Sequence, residues 1–256
     1  MKKNILIVPG DGIGQEVTAV GKKVLDRIAA KFGHHFSYDE ALIGHVAIEA
    51  TGNPLPDESL QKMKASDAVL FGAVGHPKYD NDPSAKVRPE QGLLKMRKEL
   101  GLYANLRPIK LFDELLAASS IKPEILKGAD ILFFRELTGD IYFGEKGRTN
   151  NGDTAFDRAE YSRFEVERIA RKAFEAARTR RKKLCSVDKA NVLETSRLWR
   201  EVVQKIALEY PDIEVEHQFV DATAMLLIKD PCRFDVVVTA NLFGDILTDE
   251  ASQIAG

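Results

Sequence analysis

The chain of 256 residues is poor in cysteine, with two, and carries a single tryptophan. Cys185 and Cys232 stand in apolar, strand-like company and in no metal-type Cys pair, which excludes a disulfide framework and reads as two buried, reduced thiols of a cytoplasmic protein. The chain lacks an unbroken apolar run of the ~20 residues that a membrane span needs, so no membrane is expected as partner. Its start, Met1-Lys2-Lys3, is basic, but the apolar stretch that follows is cut by Pro9-Gly10, short of a signal-peptide core of ~7 to 15 residues. An excess of charge is missing as well. With 37 basic against 39 acidic residues there is no positive field to gather a polyanion, and no nucleic acid is expected. Internal repeats and low-complexity segments are absent. What remains, 44% hydrophobic and 30% charged, is an ordinary globular composition, long enough for one large domain or two.

Strand and helix periods alternate along the chain, the pattern of an α/β fold. Ile5 to Val8 reads as a first strand, and Val17, Val20, Val24, Leu25, Ile28, Ala29 and Phe32 recur at helical steps as the face of a helix packed on a sheet. A strand at His35 to Ala41, a helix near Asp57 to Lys64 and the apolar run Ala68 to Val74, expected to be buried on both faces, continue the pattern. From His76 to Pro89 the chain turns polar, with Pro77, Asn81, Pro83 and Pro89, and reads as an exposed loop before a helix from Gln91 to Leu100. A boundary near Gly101 divides a first domain, 1–100, from a second, 101–256. Strands at Asn105 to Lys110 and Ile131 to Arg135 open the second, and Asp140 to Glu160, punctuated by Gly144, Gly147 and Gly152, reads as a protruding hairpin arm. Ser162-Arg-Phe-Glu165 has capping-box spacing before a helix whose basic end, Arg178 to Lys183, reads as a solvated face. Strands at Leu184 to Val187, Ile213 to Val220 and Phe234 to Thr239 alternate with helices carrying Trp199, Ala222 to Ile228 and Leu242 to Ile254.

Several groups bear chemistry. Gly10-Asp11-Gly12-Ile13-Gly14 lies on a strand-to-helix turn whose N–H groups could face an anion, but the dinucleotide pattern G-x-G-x-x-G fails at Gln15, so an ordinary Rossmann site is not indicated. Asp245 and Asp249 are four apart on a predicted helix, so their carboxylates share one face and repel unless neutralised, and no Lys or Arg lies within a turn of either. Asp221 stands at the carboxyl end of a predicted strand. Three carboxylates without His or Cys suit Mg2+ or Mn2+ better than Zn2+; the alternative is that Asp221 is an N-cap and the other two are surface acids. Arg97, Arg107 and Arg135 form the complementary set, suited to a substrate with several carboxylates, against the alternative of separate salt bridges with Glu99, Asp130 or Glu136. Lys189 at a strand end near such cations could serve as a base and Tyr142 as the matching acid, against the alternative that each is a surface residue.

Taken together, Pro9 to Gly14, Arg88 to Arg97, Ala104 to Pro108, Arg135 to Gly139 with Ile141 to Gly144, Val187 to Val192, Val220-Asp221 and Asn241 to Asp249 resemble, in order, the β-decarboxylating dehydrogenases of the isocitrate/isopropylmalate family. The resemblance implies a two-domain fold with parallel and mixed sheets, non-Rossmann nucleotide binding and an arm at the dimer contact. It implies that Arg97, Arg107 and Arg135 bind malate carboxylates, that Asp221, Asp245 and Asp249 hold Mg2+ or Mn2+ while Asp221 also borders the substrate, that Lys189 is the base and Tyr142 the acid. His76, Glu90 and Asn191 would line NAD, and Glu90, Leu93 and Leu94 the side chain of the substrate. Two apolar leucines there point to 3-isopropylmalate, oxidatively decarboxylated in leucine biosynthesis, ahead of tartrate, malate or homoisocitrate. A homodimer with shared sites is implied, Lys189 and Asp221 coming from the partner. Members of this family continue past Gly256 through a loop that holds the adenosine half of NAD. On that likeness the first domain is expected to lack its C-terminal half and expose apolar surface, and a non-catalytic fragment retaining the dimerisation domain is the competing expectation.

Overall fold

The computed structural model describes residues 1–80, 82 and 84–254. Asn81 and Pro83 of the expected polar loop, and Ala255-Gly256, lie outside the described residues. The chain forms two compact units, Met1–Gly101 and Leu102–Gly256.

The first unit runs β1 (Lys2–Gly10), α1 (Gly14–Phe32), β2 (His35–Glu40), α2 (His45–Thr51), α3 (Asp57–Ala65), β3 (Ala68–Ala73), α4 (Pro77–Asp80) and α5 (Pro89–Glu99). Its sheet is parallel in the order β2-β1-β3, with Ile5 opposite both Tyr38 and Ala68. Central β1 buries Ile5 to Val8, and Leu6 and Val8 pack with Ile43, Leu55, Leu60, Met63 and Met96. Strand β3 is an edge, so its apolar run is half-buried, short of the expected burial on both faces.

Helix α1 departs further from expectation. It turns Gly14, Thr18, Gly21, Leu25 and Ala29 inward and leaves Val17, Val20, Val24, Ile28 and Phe32 exposed. Close approach decides which side faces the sheet. A Cβ on Gly14 would stand 2.1 Å from the Pro9 carbonyl oxygen, so only the glycine side of the helix fits there. Helix α2, begun at Gly44 with φ +81°, has seven residues, too few for a legible period.

The second unit runs β4 (Ala104–Lys110), α6 (Pro123–Leu126), β5 (Asp130–Glu136), β6 (Lys146–Thr149), β7 (Thr154–Asp157), α7 (Arg163–Arg178), β8 (Lys183–Asp188), α8 (Glu194–Ala207), β9 (Glu214–Phe219), α9 (Val220–Lys229), β10 (Val236–Thr239) and α10 (Asn241–Ser252). Its main sheet has the order β4-β5-β10-β8-β9, parallel except for β4. Each face is covered. On one side Val166, Phe174, Trp199 and Val203 of α7 and α8 pack on Val236 and Val238; on the other Leu227 and Leu247 of α9 and α10 pack on Val237 and Phe133. The alternation of a strand thus sends successive valines of β10 into two cores.

The arm is smaller than expected. β6 and β7 pair as a separate two-stranded hairpin, while Ile141-Tyr142 belongs to a 3-10 turn, Asp140–Tyr142, rather than a strand. The capping box forms as read: the Ser162 hydroxyl accepts from the Glu165 N–H, and the Glu165 carboxylate accepts from the Ser162 N–H at 2.7 Å. The basic run at the end of α7 is solvated as read except at Arg180: Arg178 and Arg181 to Lys183 are exposed, while half-buried Arg180 bonds Asp130 and the buried Asp235, each at 2.7 Å, and Asp235 also accepts from the Arg181 N–H. Both thiols are free, Cys185 in β8 and Cys232 in a 3-10 turn, Pro231–Arg233.

Candidate active site

The antiparallel register of β4 and β5 sets Asn105 opposite Arg135 and Arg107 opposite Phe133. With a side-chain period of two, Asn105, Arg107 and Arg135 share one face of the sheet. Helix α10 crosses that face and presents Asp245 and Asp249, one turn apart. Arg135 Nη1 lies 2.5 Å from Asp245 Oδ1, and Arg107 Nη1 lies 3.0 Å from Asp249 Oδ1 and 2.5 Å from Thr248 Oγ1. Asn105 accepts from Arg107 Nε at 2.8 Å and orients that fork. The like charges on α10 are therefore neutralised by strands more than 100 residues away in sequence. The salt bridges considered as alternatives go elsewhere: Glu99 pairs with Lys64, Asp130 with Arg180, and Glu136 with Arg168.

Arg135 is 2% exposed. Burial draws its guanidinium below the usual range, and the charge of Asp245 opposes the shift. The Tyr142 hydroxyl donates to the other oxygen of Asp245, with its ring 5.5 Å from the Arg135 guanidinium. Burial first, and the Asp245 carboxylate second, push the phenol up to about 12. Tyr142 thus holds its proton at neutral pH.

Lys189 and Asp221 form a separate cluster. Strands β8 and β9 are parallel, with Asp188 opposite Phe219, so the residues just past both ends emerge side by side. Lys189 Nζ lies 2.6 Å from Asp221 Oδ1, and that bond holds the Asp221 carboxyl below the usual carboxylate range. Asp221 is not an N-cap: it lies in the first turn of α9, whose N-cap is Phe219. Asn191 is exposed in the turn before α8. Buried Asp188 braces that turn, accepting from the Ala190 N–H and from Nε and Nη2 of Arg200.

The three candidate metal ligands are thus divided, two on α10 and one beside Lys189. Among the described residues no group of three His, Cys, Asp or Glu side chains gathers closely enough in one chain to hold a metal ion. The donors are all carboxylate oxygens, a set that fits Mg2+ or Mn2+ by chemistry and is incomplete by count within one chain.

In the first unit Glu90, Leu93, Leu94 and Arg97 fall on one face of α5 at helical steps. Leu93 packs against the core, Leu94 and Arg97 are half-buried, and Glu90 is exposed. His76 lies against His45 with ring centroids 4.0 Å apart and the rings tilted by 32°. Both loops are tied to buried Asp11, whose carboxylate accepts from the backbone N–H groups of His45, Val46 and Gly75 at 2.9, 3.0 and 2.9 Å. The Gly10–Gly14 turn therefore uses its carboxylate as an internal staple, and the Gly14 N–H bonds the Asp11 carbonyl rather than facing an anion. Sequence reasoning missed Asn105, Thr248 and Asn241 as partners of the arginines. Asn241 opens the quoted Asn241–Asp249 motif, which was its only signal.

The family model described as isocitrate/isopropylmalate dehydrogenase matches residues 4–256. The whole chain is similar to proteins named 3-isopropylmalate dehydrogenase: at 55% identity to that of Shouchella clausii, covering 71% of it, and at 56% to that of Rhodopirellula baltica, covering 72%. Among solved structures, isocitrate dehydrogenase from Methylococcus capsulatus superposes with a TM-score of 0.86 at 35% identity, over 99% of this chain and 71% of that one. A β-decarboxylating dehydrogenase from Thermococcus kodakarensis superposes at 0.73 and 35%, over 99% and 68%.

Proposed function

The chain belongs to the isocitrate/isopropylmalate dehydrogenase family, and from that premise we propose that it serves the NAD-dependent oxidative decarboxylation of 3-isopropylmalate to 4-methyl-2-oxopentanoate in leucine biosynthesis. One observation carries the reading: two guanidinium groups, two carboxylates and a phenol meet over the β4–β5 edge, in a protein 55% identical to named 3-isopropylmalate dehydrogenases.

When bound, NAD takes up the hydride from the alcohol carbon, and Mg2+ or Mn2+ draws electron density from the oxygen on that carbon. The chain's residues do the rest. Arg107 and Arg135, with Arg97, bind the two malate carboxylates by paired N–H donors. Lys189 takes the hydroxyl proton as hydride leaves. After carbon dioxide departs, Tyr142, protonated at neutral pH, returns a proton to the enol carbon. Asp245 and Asp249 supply two metal ligands and Asp221 the third. Leu93 and Leu94, with Glu90, contact the isopropyl group, and His76, Glu90 and Asn191 line the cofactor.

The divided ligand set is completed by a two-fold homodimer, in which Lys189 and Asp221 of one subunit serve the Asp245–Asp249 cluster of the other. Apolar side chains on α9 and α10 support that contact: Met225 is 71% exposed and Ile246 60%. Among the described residues no helix is long and apolar enough to cross a membrane; the location proposed is the cytoplasm.

The test is NADH formation from NAD and 3-isopropylmalate with Mg2+ or Mn2+, set beside isocitrate and malate. Turnover with 3-isopropylmalate is expected of the chain carried on by the C-terminal segment of a 3-isopropylmalate dehydrogenase relative, falling on the order of 100-fold in Asp245→Asn at limiting Mg2+. Absence of turnover, or a preference for isocitrate, overturns the proposal.

A further inference from the structure

We propose that Asn241 is a positioning residue for Arg135, holding the guanidinium so that one N–H on each terminal nitrogen stays available to a substrate carboxylate. The inference rests on the reading of Arg135 as a carboxylate ligand given above and adds what presents it.

Asn241 is the first residue of α10 and is 0% exposed. Arg135 Nε donates to the Asn241 carbonyl oxygen at 3.0 Å and to Oδ1 at 3.1 Å, and Arg135 Nη2 donates to the same Oδ1 at 2.8 Å. A guanidinium has five N–H donors. Asn241 engages the single one on Nε and one on Nη2, and Asp245 engages one on Nη1. One donor then remains on each terminal nitrogen, and two N–H donors are what a bidentate carboxylate takes.

The same side chain reaches the turn that carries Tyr142. Asn241 Nδ2 donates to the Gly139 carbonyl at 3.1 Å, and the next residue's N–H, that of Leu242, bonds Asp140 Oδ2 at 3.0 Å. The Asn241 N–H in turn donates to the Tyr161 hydroxyl at 2.9 Å. An amide is the chemical requirement here. One terminus faces two donors of Arg135 and has to accept; the other faces a carbonyl and has to donate. Aspartate would fill the same volume, but it would set a second full charge against Arg135 and oppose the Gly139 carbonyl with a bare oxygen. Packing is close as well: a Cβ on Gly244 would stand 2.6 Å from Arg135 Cγ, so α10 lies directly on the arginine stem.

Two measurements on the full chain test this. In 15N-labelled protein, the Nε–H resonance of Arg135, assigned by its loss in Arg135→Lys, is expected to exchange slowly with water. Asn241→Ala should speed that exchange by roughly tenfold or more, whereas isosteric Asn241→Asp should keep it slow. Calorimetric titration with 3-isopropylmalate and Mg2+ should show Asn241→Asp weakening the complex by roughly tenfold or more, with NAD binding unchanged. Where turnover is measured, the loss should appear in KM for the malate and not in kcat. An Nε–H that stays protected in Asn241→Ala overturns the positioning role, as does unweakened malate binding in Asn241→Asp beside a weakened Arg135→Lys. If the unsubstituted chain binds no 3-isopropylmalate, the functional reading fails and the exchange measurement alone decides whether Asn241 holds Arg135.

Discussion

The two units use the same alternation of strand and helix and bury it to different depths. In the second, the five-stranded sheet has helices on both faces, and the apolar sides of α7, α8 and α10 all find partners. In the first, α1 carries as long an apolar stripe, yet Val20 is 57% exposed and Phe32 61%. Helical periodicity announces that a side of a helix is apolar; it does not say what will cover that side, or whether a second, small-residue side will win the sheet instead. In α1 the glycines won, because backbone can approach backbone only where no Cβ intervenes.

The contrast is open to attack by substitution, starting where the second unit is most tightly packed. Phe174→Ala, in the α7–α8 core, should cost about 3 to 5 kcal/mol in urea unfolding, read by the fluorescence of Trp199, the single tryptophan and itself a member of that core. Val24→Ala on the exposed side of α1 should cost less than about 0.5 kcal/mol by far-ultraviolet circular dichroism; a cost near that of Phe174→Ala would mean that the α1 stripe is covered in solution and would break the comparison. Asp235→Ala should cost about 3 kcal/mol, because it strands Arg180 and the Arg181 N–H beside a buried site. Its counterpart in the first unit, Asp67→Ala, removes an exposed pair with Lys3 and should leave the unfolding midpoint where it was.

Smaller effects sharpen the same contrast. Ser162→Ala should cost about 1 kcal/mol through the lost cap of α7, whereas α1 begins at Ile13 with no side-chain cap to lose. The smallest effect is in pH. Burial, with the nearby charge of Arg200, holds His217 below its ordinary value near 6.5, so the folded chain keeps it neutral where the unfolded chain takes up a proton. The unfolded state therefore binds more protons in that window, and stability should fall as pH drops from 6.5 toward the folded value. His217→Gln should flatten this decline in thermal unfolding midpoints; an unchanged slope would assign it to other groups.

Much of this molecule was readable along the chain, and particular residues show where legibility ended. The apolar run of β10 announced a strand, and Ser162 with Glu165 announced a helix start, because both depend on neighbours within a few residues. The acids of α10 were legible as a problem, two like charges one turn apart, but not as a solution. Nothing near Asp245 identifies Arg135 as its partner, and nothing in the basic run at the end of α7 singles out Arg180 until Asp235, more than 50 residues on, is seen to receive it. Motif order identified the family and, through that likeness, carried the expectation that Asp221 serves another subunit than Asp245 and Asp249 do, whereas the pairing of Asp221 with Lys189 could only be seen in space.

By itself, then, the order of amino acids determined the periods of the elements, the caps and the identities of the charged groups, since those follow from contacts at fixed short separations. Tertiary structure alone decided which side of α1 meets the sheet, which arginine neutralises which aspartate, and that an asparagine stands behind Arg135. Those outcomes depend on strand register and on the closest approach of helix to sheet, and electrostatic and packing energies fall with distance through space, whatever the distance along the chain.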